Sequence, residues 1–265
     1  ANVGLTDVDA IASDVRGLRQ RGVGTSTMGV GDDYDERLLE AMSRAGDGNF
    51  HHISSPGQIP DFFASELEEL VGHFAENVSL GIRVGRGVEV VDLLNEFDRT
   101  EFGNWMLPSL VAGSPVKVLA RLRVPPQSGS AESRVAGLRL AWDRPGRERR
   151  DLRLDLRLPV LPWHELEQLP RDEEVQAFAA VLEAQRHKRE AMEEARLGRV
   201  REARQRLVRS VEAMRSAPGS FEVVEERQLF DALADDLDAG EIATFLKKAR
   251  YESYSRRRGR RVHRD

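Results

Sequence analysis

Cysteine is absent from this chain of 265 residues. No disulfide framework, thiolate metal site, cysteine nucleophile or thiol redox chemistry can therefore be built from it, and the lack fits a reducing compartment. Long apolar runs are absent too: no stretch nears the roughly 18 consecutive apolar residues of a membrane span, and the opening residues show no basic segment followed by an apolar core. As given, the chain is expected to carry neither a signal peptide nor a spanning helix. Phosphate-binding signatures also fail. Gly22-x-Gly24, Gly29-x-Gly31 and Gly85-x-Gly87 each lack the third glycine, and no Gly-Lys-Ser/Thr follows any of them, so no nucleotide site is assigned. Without a Gly-x-Ser-x-Gly elbow, a serine hydrolase has no support.

What is present is a globular composition, 40% hydrophobic and 32% charged, at a length that suggests about two domains of roughly 150 residues each. The net charge of -5 conceals an asymmetry. From Lys247 onward the sequence holds Lys247, Lys248, Arg250, Arg256, Arg257, Arg258, Arg260, Arg261 and Arg264 against Glu252 and Asp265. The body is acidic and the tail basic.

Three regions differ in period. In residues 1–75 helix and strand alternate. Thr6 is an N-cap candidate, and Val8, Ile11, Ala12, Val15 and Leu18 recur at helical spacing until Gly22. A strand over Val23 to Val30 leads to Asp33 and Glu36, an Asp-x-x-Glu variant of the capping box, and to a helix with Leu38, Leu39, Met42 and Ala45 on one face. Phe50 to Ile53 reads as a buried strand. Ser55-Pro56 opens a helix expected to turn Ile59, Phe62, Phe63, Leu67, Leu70 and Phe74 inward. Such alternation predicts parallel strands joined by crossover helices.

Over residues 76–165 the period becomes two. Val78, Leu80, Ile82 and Val84 alternate with polar residues; so do Val116, Val118, Ala120, Leu122 and Val124, then Leu138, Leu140 and Trp142, then Leu152, Leu154, Leu156, Leu158 and Val160. Turns at Gly113-Ser114-Pro115, Pro125-Pro126 and Arg144-Pro145-Gly146 separate the runs, which predicts an antiparallel β-sandwich of about six or seven strands with these residues inside. Trp105 and Trp142 are expected to pack. Residues 171–256 are helical: Val175, Phe178, Ala179, Leu182 and Gln185 begin a run broken at Leu197-Gly198, Val200, Ala203, Leu207, Val211 and Met214 resume it, and two more helices flank Gly240. Residues 257–265 form a basic tail. The predicted class is thus α/β, then all-β, then α.

Ala1-Asn-Val-Gly-Leu-Thr-Asp7, the strand-like Gly24 to Gly31 with Asp32-Asp33-Tyr34-Asp35-Glu36, and Ala45 to Ile53 resemble, in that order, the C-terminal half of a von Willebrand factor A (VWA) domain. The type is bacterial, similar to the calcium-activated chloride channel and inter-alpha-trypsin-inhibitor-like proteins. The resemblance implies a Rossmann-like layer that begins mid-sheet, a fragment lacking the domain's front half. It further implies that an Asp-Gly upstream, an Asp-x-Ser-x-Ser loop and a distant Thr carry a divalent cation (Mg, Mn or Ca) in the intact domain, bridging to a partner's carboxylate. None of those ligands is matched here, so this chain is expected to hold no catalytic, cofactor or metal residues of its own.

The remaining clusters have plainer readings. Asp32, Asp33, Asp35 and Glu36 lack the glycine and distal glutamate of a calcium loop and read as capping residues; Asp235, Asp236, Asp238, Gly240 and Glu241 read as a helix end and the next start. His51 and His52 are adjacent and point to opposite faces of a strand, while His73, His164, His187 and His263 are scattered. Arg residues interleaved with Tyr251 and Tyr254 would suit nucleic acid, the alternative to a frayed terminus. The sequence thus points to a non-enzymatic protein-interaction or scaffold module. Self-association is expected through an open edge of the first sheet, and nucleic-acid binding by the tail is the alternative function.

Overall fold

The computed structural model describes residues 6–31, 34–53, 55–127, 131–144, 146 and 148–257, the side chains of 65, 68–71 and 251–257 excepted. Ala1 to Leu5, Asp32, Asp33 and the tail from Arg258 onward thus lie outside the described residues. The chain divides into two compact units, each assembled from separate stretches. One holds residues 1–72, 184–212 and 226–265; the other holds 73–183 and 213–225. The three regions read from the sequence do not map one to one onto these units.

The first unit opens with α1 (Val8–Gln20), β1 (Thr25–Val30), α2 (Glu36–Ala45), β2 (Asp47–Ile53) and α3 (Ile59–Gly72). β1 and β2 pair in parallel, with α2 as the crossover, as the alternation predicted. The caps shift by a residue or two. Asp7, not Thr6, caps α1, its Oδ1 accepting from the Ala10 N–H at 2.8 Å. Asp35 caps α2 by accepting from Arg37 and Leu38 at 2.9 and 3.1 Å. In both places a carboxylate stands nearer the first turn, where its charge also meets the positive end of the helix dipole. Ser55 and Gln58 form a capping box, with Pro56 at the first position of a single 3-10 turn over Pro56–Gln58 before α3.

α3 turns a different face inward from the one expected. Phe62 is buried at 8% exposure, yet Phe63 and Leu67 are 55% and 62% exposed. Adjacent helical residues point about 100° apart, so Phe62 and Phe63 cannot share a face; the inward row is Ile59, Phe62 and Glu66. β2 is longer than its apolar stretch predicted because Gly48 lets the chains approach. A Cβ there would lie 2.1 Å from the Thr25 carbonyl oxygen.

The later stretches of this unit are helical. α5 (Glu173–Arg196), α6 (Val200–Arg215), α7 (Phe221–Asp238) and α8 (Ile242–Arg257) follow a short α4 (Trp163–Leu166), and each of α5, α6 and α7 gives one part to each unit. Ala191, Ala203, Leu207, Phe230, Leu233, Phe245 and Ala249 are fully buried or nearly so. α8 packs on β2, so the short sheet is covered by the last helix described.

In the second unit β3 (His73–Val84) is central. It pairs antiparallel with β5 (Trp105–Met106), β6 (Leu110–Val111) and β8 (Glu132–Asp143), and β8 pairs with β9 (Arg149–Pro159). β4 (Glu89–Leu93) and β7 (Ala120–Arg123) form a separate antiparallel pair. Ala75, Val78, Leu93, Trp105 and Leu107 make the shared core, with Leu140 and Trp142 packed against it, so both tryptophans are packing residues as expected. Val116 and Val118 also reach this cluster although no strand includes them.

β9 departs most from expectation. Leu152, Leu154, Leu156 and Leu158 are 48%, 56%, 38% and 44% exposed rather than buried. Strict alternation guarantees that they share one face; it does not guarantee that anything covers that face. Leu152 and Leu154 line a groove of ≈ 610 Å³ together with Phe74, Leu110, Val116 and Leu138.

Candidate interaction site

The end of the short parallel sheet gathers aromatic and charged side chains from several elements. β1 runs out at Val30, and Gly31, at φ +68°, donates its N–H to the Ile53 carbonyl at 3.0 Å, closing the strand end. Tyr34 then folds back over the sheet. Its ring lies so near Gly29 that a Cβ there would sit 2.4 Å from ring carbons. The ring meets Phe50 edge-on at 6.2 Å, and its hydroxyl is 2.7 Å from His52 Nδ1. Lys247 of α8 brings its ammonium to 5.1 Å from the centre of the same ring, within range of a cation–π attraction.

His51 takes the opposite face, as strand geometry dictates. It stacks edge-on against Phe62 at 4.6 Å and places Nε2 3.4 Å from Glu66 Oε1. Asn49 donates to the same oxygen at 2.7 Å, Ser26 donates its hydroxyl to the other carboxylate oxygen, and the Asn49 N–H donates to Ser26 Oγ at 3.0 Å. Burial alone would push the Glu66 carboxyl up, but the hydrogen bonds from His51, Ser26 and Asn49 together outweigh it and hold the group below the ordinary carboxylate range. Glu66 therefore stays ionised and ties α3 to both strands.

α2 is fastened on its other side. Glu40 accepts from Arg250 of α8, and Glu36 accepts from Arg196 of α5 at 3.2 Å. Burial is the largest influence on Arg250 and lowers its pKa below the usual guanidinium value, with the Glu40 charge opposing. Three basic residues assigned to the tail's stretch thus have internal roles: Lys247 at Tyr34, Arg250 at Glu40, and Lys248 at Asp236, 3.0 Å away. Tyr251, Tyr254, Arg256 and Arg257 fall in α8 without described side chains, and Arg258, Arg260, Arg261 and Arg264 lie outside the described residues.

Of the first acidic cluster, Asp35 caps and Glu36 pairs, while Asp32 and Asp33 lie outside the described residues. In the second, Asp238 takes Arg204 at 2.6 Å and Gly240, at φ +77°, follows α7. Among the described residues no group of three or more histidines and carboxylates is placed to hold a metal ion. Among the described residues Asp7 and Asp35 are committed to caps and Glu36 and Glu66 to side-chain partners, whereas a hard divalent cation needs about six to eight converging oxygens.

One polar cluster escaped the sequence reading. Lys188 and Glu226 are fully buried, 3.7 Å apart, and Gln185 donates to Glu226. The Lys188 ammonium also lies 5.4 Å from the Phe230 ring centre. Lys188 follows the inward-facing Gln185 by three, so its burial was signalled by helical spacing alone.

Comparison with known proteins agrees with the layer just described. A von Willebrand factor type A protein from Catenulispora acidiphila matches with a TM-score of 0.57 at 15% identity, over 85% of this chain and 54% of that one. The fold is VWA-like. The human COPII-coat protein Sec24c matches with a TM-score of 0.53 at 14% identity, over 96% of this chain and 37% of that one. In sequence, the uncharacterized protein YfbK of Escherichia coli (strain K12) is 32% identical over 82 residues, 31% of this chain and 14% of that protein. No protein-family model matches. The match therefore spans about half the length of the Catenulispora protein and a seventh of YfbK. At these identities the likeness is one of fold, and no helix among the described residues is long and apolar enough to cross a membrane.

Proposed function

We propose that this chain is a non-enzymatic protein-interaction or scaffold module, the rear part of a VWA-type domain followed by a β-sandwich and a helical bundle, of a bacterial protein. The observation that carries the proposal is the VWA-like fold, since domains of this architecture act as general interaction modules. Its working surface is the end of the β1–β2 layer, where Tyr34, Lys247 and the Asp35-capped start of α2 are held in place. With Asp35 committed to a cap and Glu36 and Glu66 to side-chain partners, binding by this chain is read as independent of a divalent cation; metal-bridged adhesion belongs to an intact domain that supplies the ligands of the family pattern. Nucleic-acid binding through the tail is the weaker reading, because Lys247, Lys248 and Arg250 are already engaged.

Calorimetric titration with Mg²⁺ and Mn²⁺ tests the cation-independent part. No stoichiometric site tighter than about 100 μM, equivalent to ~5.5 kcal/mol, is expected, and finding one overturns it. The immobilised chain is further expected to retain a protein from lysate of its native cell equally with and without a chelator. Retention of none, or of single-stranded oligonucleotide at physiological salt instead, overturns the interaction reading.

A further inference from the structure

The strand β9 reads, from Asp151 to Arg157, Asp-Leu-Arg-Leu-Asp-Leu-Arg. It ends its sheet: β8 lies on one side, and among the described residues no strand pairs with the other. All its residues from Arg149 to Pro159 are exposed. An open edge of this length offers unpaired backbone donors and acceptors, and proteins ordinarily blunt such an edge with a run of like charge. Here the signs alternate instead. Laid antiparallel against its own copy about a two-fold axis at Leu154, the segment sets Asp151 opposite Arg157 and Arg153 opposite Asp155, twice each. On the other face Leu152 meets Leu156, and Leu154 meets itself.

We infer that β9 is a self-complementary edge through which two copies of this chain pair, antiparallel and two-fold symmetric, into one continuous sheet. A C2 contact requires a patch that matches itself, and this charge order does so at every position from 151 to 157. The backbone along the open edge gains a ladder. The leucine stripes, 38–56% exposed in the single chain, meet as cross-strand pairs. Arg157 makes no ion pair among the described residues, and the pairing gives it Asp151 of the second copy. Asp151 and Asp155 already accept from Arg153 and Arg134 at 2.9 and 2.7 Å, and the added partners extend these pairs into alternating rows. Strand addition buries less than the ~1,600 Å² of a standard interface, so the association is expected at micromolar concentration. This inference is independent of the proposed partner-binding surface, which lies in the other unit.

Two experiments test it on the full chain. In analytical ultracentrifugation the wild type is expected to dimerise in the range of about 1–100 μM. The double variant Asp151→Arg/Asp155→Arg places arginine opposite arginine, and Arg153→Asp/Arg157→Asp places aspartate opposite aspartate. Each alone is expected to dimerise at least about tenfold more weakly, whereas an equimolar mixture restores every opposite-charge pair and is expected to regain the wild-type affinity as a heterodimer. A wild type monomeric at ~100 μM overturns the inference, and so does dimerisation of each variant alone as strong as wild type, the result expected if these charges serve only β8. The second experiment uses the absence of cysteine and does not depend on those variants folding. Leu154→Cys places one thiol of each copy at the axis, where opposed Cα atoms ~4.5–5.5 Å apart suit a disulfide. Leu158→Cys places them some eight residues, roughly 26 Å, apart along the strands. Rapid oxidative cross-linking of the first and not the second is expected; equal cross-linking of both, or of neither, overturns the register.

Discussion

Glu66 shows how one carboxylate can decide whether a small sheet stays fastened to its helix. It sits on the inward row of α3 and collects three donors from β1 and β2. Its folded pKa is lowered, so the stabilisation is fully present above the unfolded carboxylate value near 4.3 and is lost as pH falls through the folded value. Glu66→Gln is expected to cost about 1.5–3 kcal/mol at pH 6, the range for hydrogen bonds to a charged group, with the difference from wild type shrinking as pH drops below about 4. Urea denaturation of both proteins at the two pH values checks this; a constant difference means that Glu66 is not the titrating group. The Lys188–Glu226 pair is a second test at this scale. Lys188→Met leaves a buried carboxylate without its cation and is expected to cost about 3–5 kcal/mol, while adding Glu226→Met recovers most of the loss. Additive losses in thermal or denaturant unfolding would show that the two charges act separately.

Among the elements, α8 has two parts with different duties. Its first turns bury Phe245 and Ala249 completely and pack on β2, so Phe245→Ala is expected to cost about 3–5 kcal/mol. Deleting residues 254–265 leaves Phe245 and Ala249 in place and is expected to change stability by less than about 1 kcal/mol; a larger loss in chemical denaturation would show that the tail docks. The strands and helices that sequence revealed most clearly were those in which one period runs long enough to be unambiguous, such as α5, with Leu182 and Gln185 inward, and β8 with its leucines. β4, β5 and β6 were missed because strands of two to five residues contain too few positions to display alternation. The α3 face was misread because Phe62 and Phe63 both advertise a core, and the polar Glu66, which completes the true inward row, has no hydrophobic signature. For the Glu66 cluster the same applies: Ser26, Asn49, His51 and Glu66 come from three elements and no spacing rule joins them. The exposed leucines of β9 mark the opposite limit, since pattern reports which side chains share a face and is silent on what lies against it.

At the scale of the molecule, pairing sets the order of local stability. Among the described residues β1 and β2 each have one strand neighbour, whereas β3 and β8 are flanked on both sides. Hydrogen exchange is expected to be at least about tenfold faster at residues 25–30 and 47–53 than at 78–82 and 136–141. Equal protection would mean that the cover given by α8 protects the two-stranded sheet as well as strand pairing protects β3 and β8. The division into units has another consequence, one of timing. Because each unit is stitched from distant stretches, neither is complete when its first stretch leaves the ribosome. Roughly 170 residues separate the end of α3 from the start of α8, which at ~5–20 residues per second leaves β2 without its α8 cover for about 9–34 s. Over that interval the side of β2 that α8 will occupy stays exposed, although α2 and α3 already pack on the layer. The length of the wait is set by where Phe245 and Ala249 fall in the chain, and a circular permutant that is translated from α8 first would close that interval.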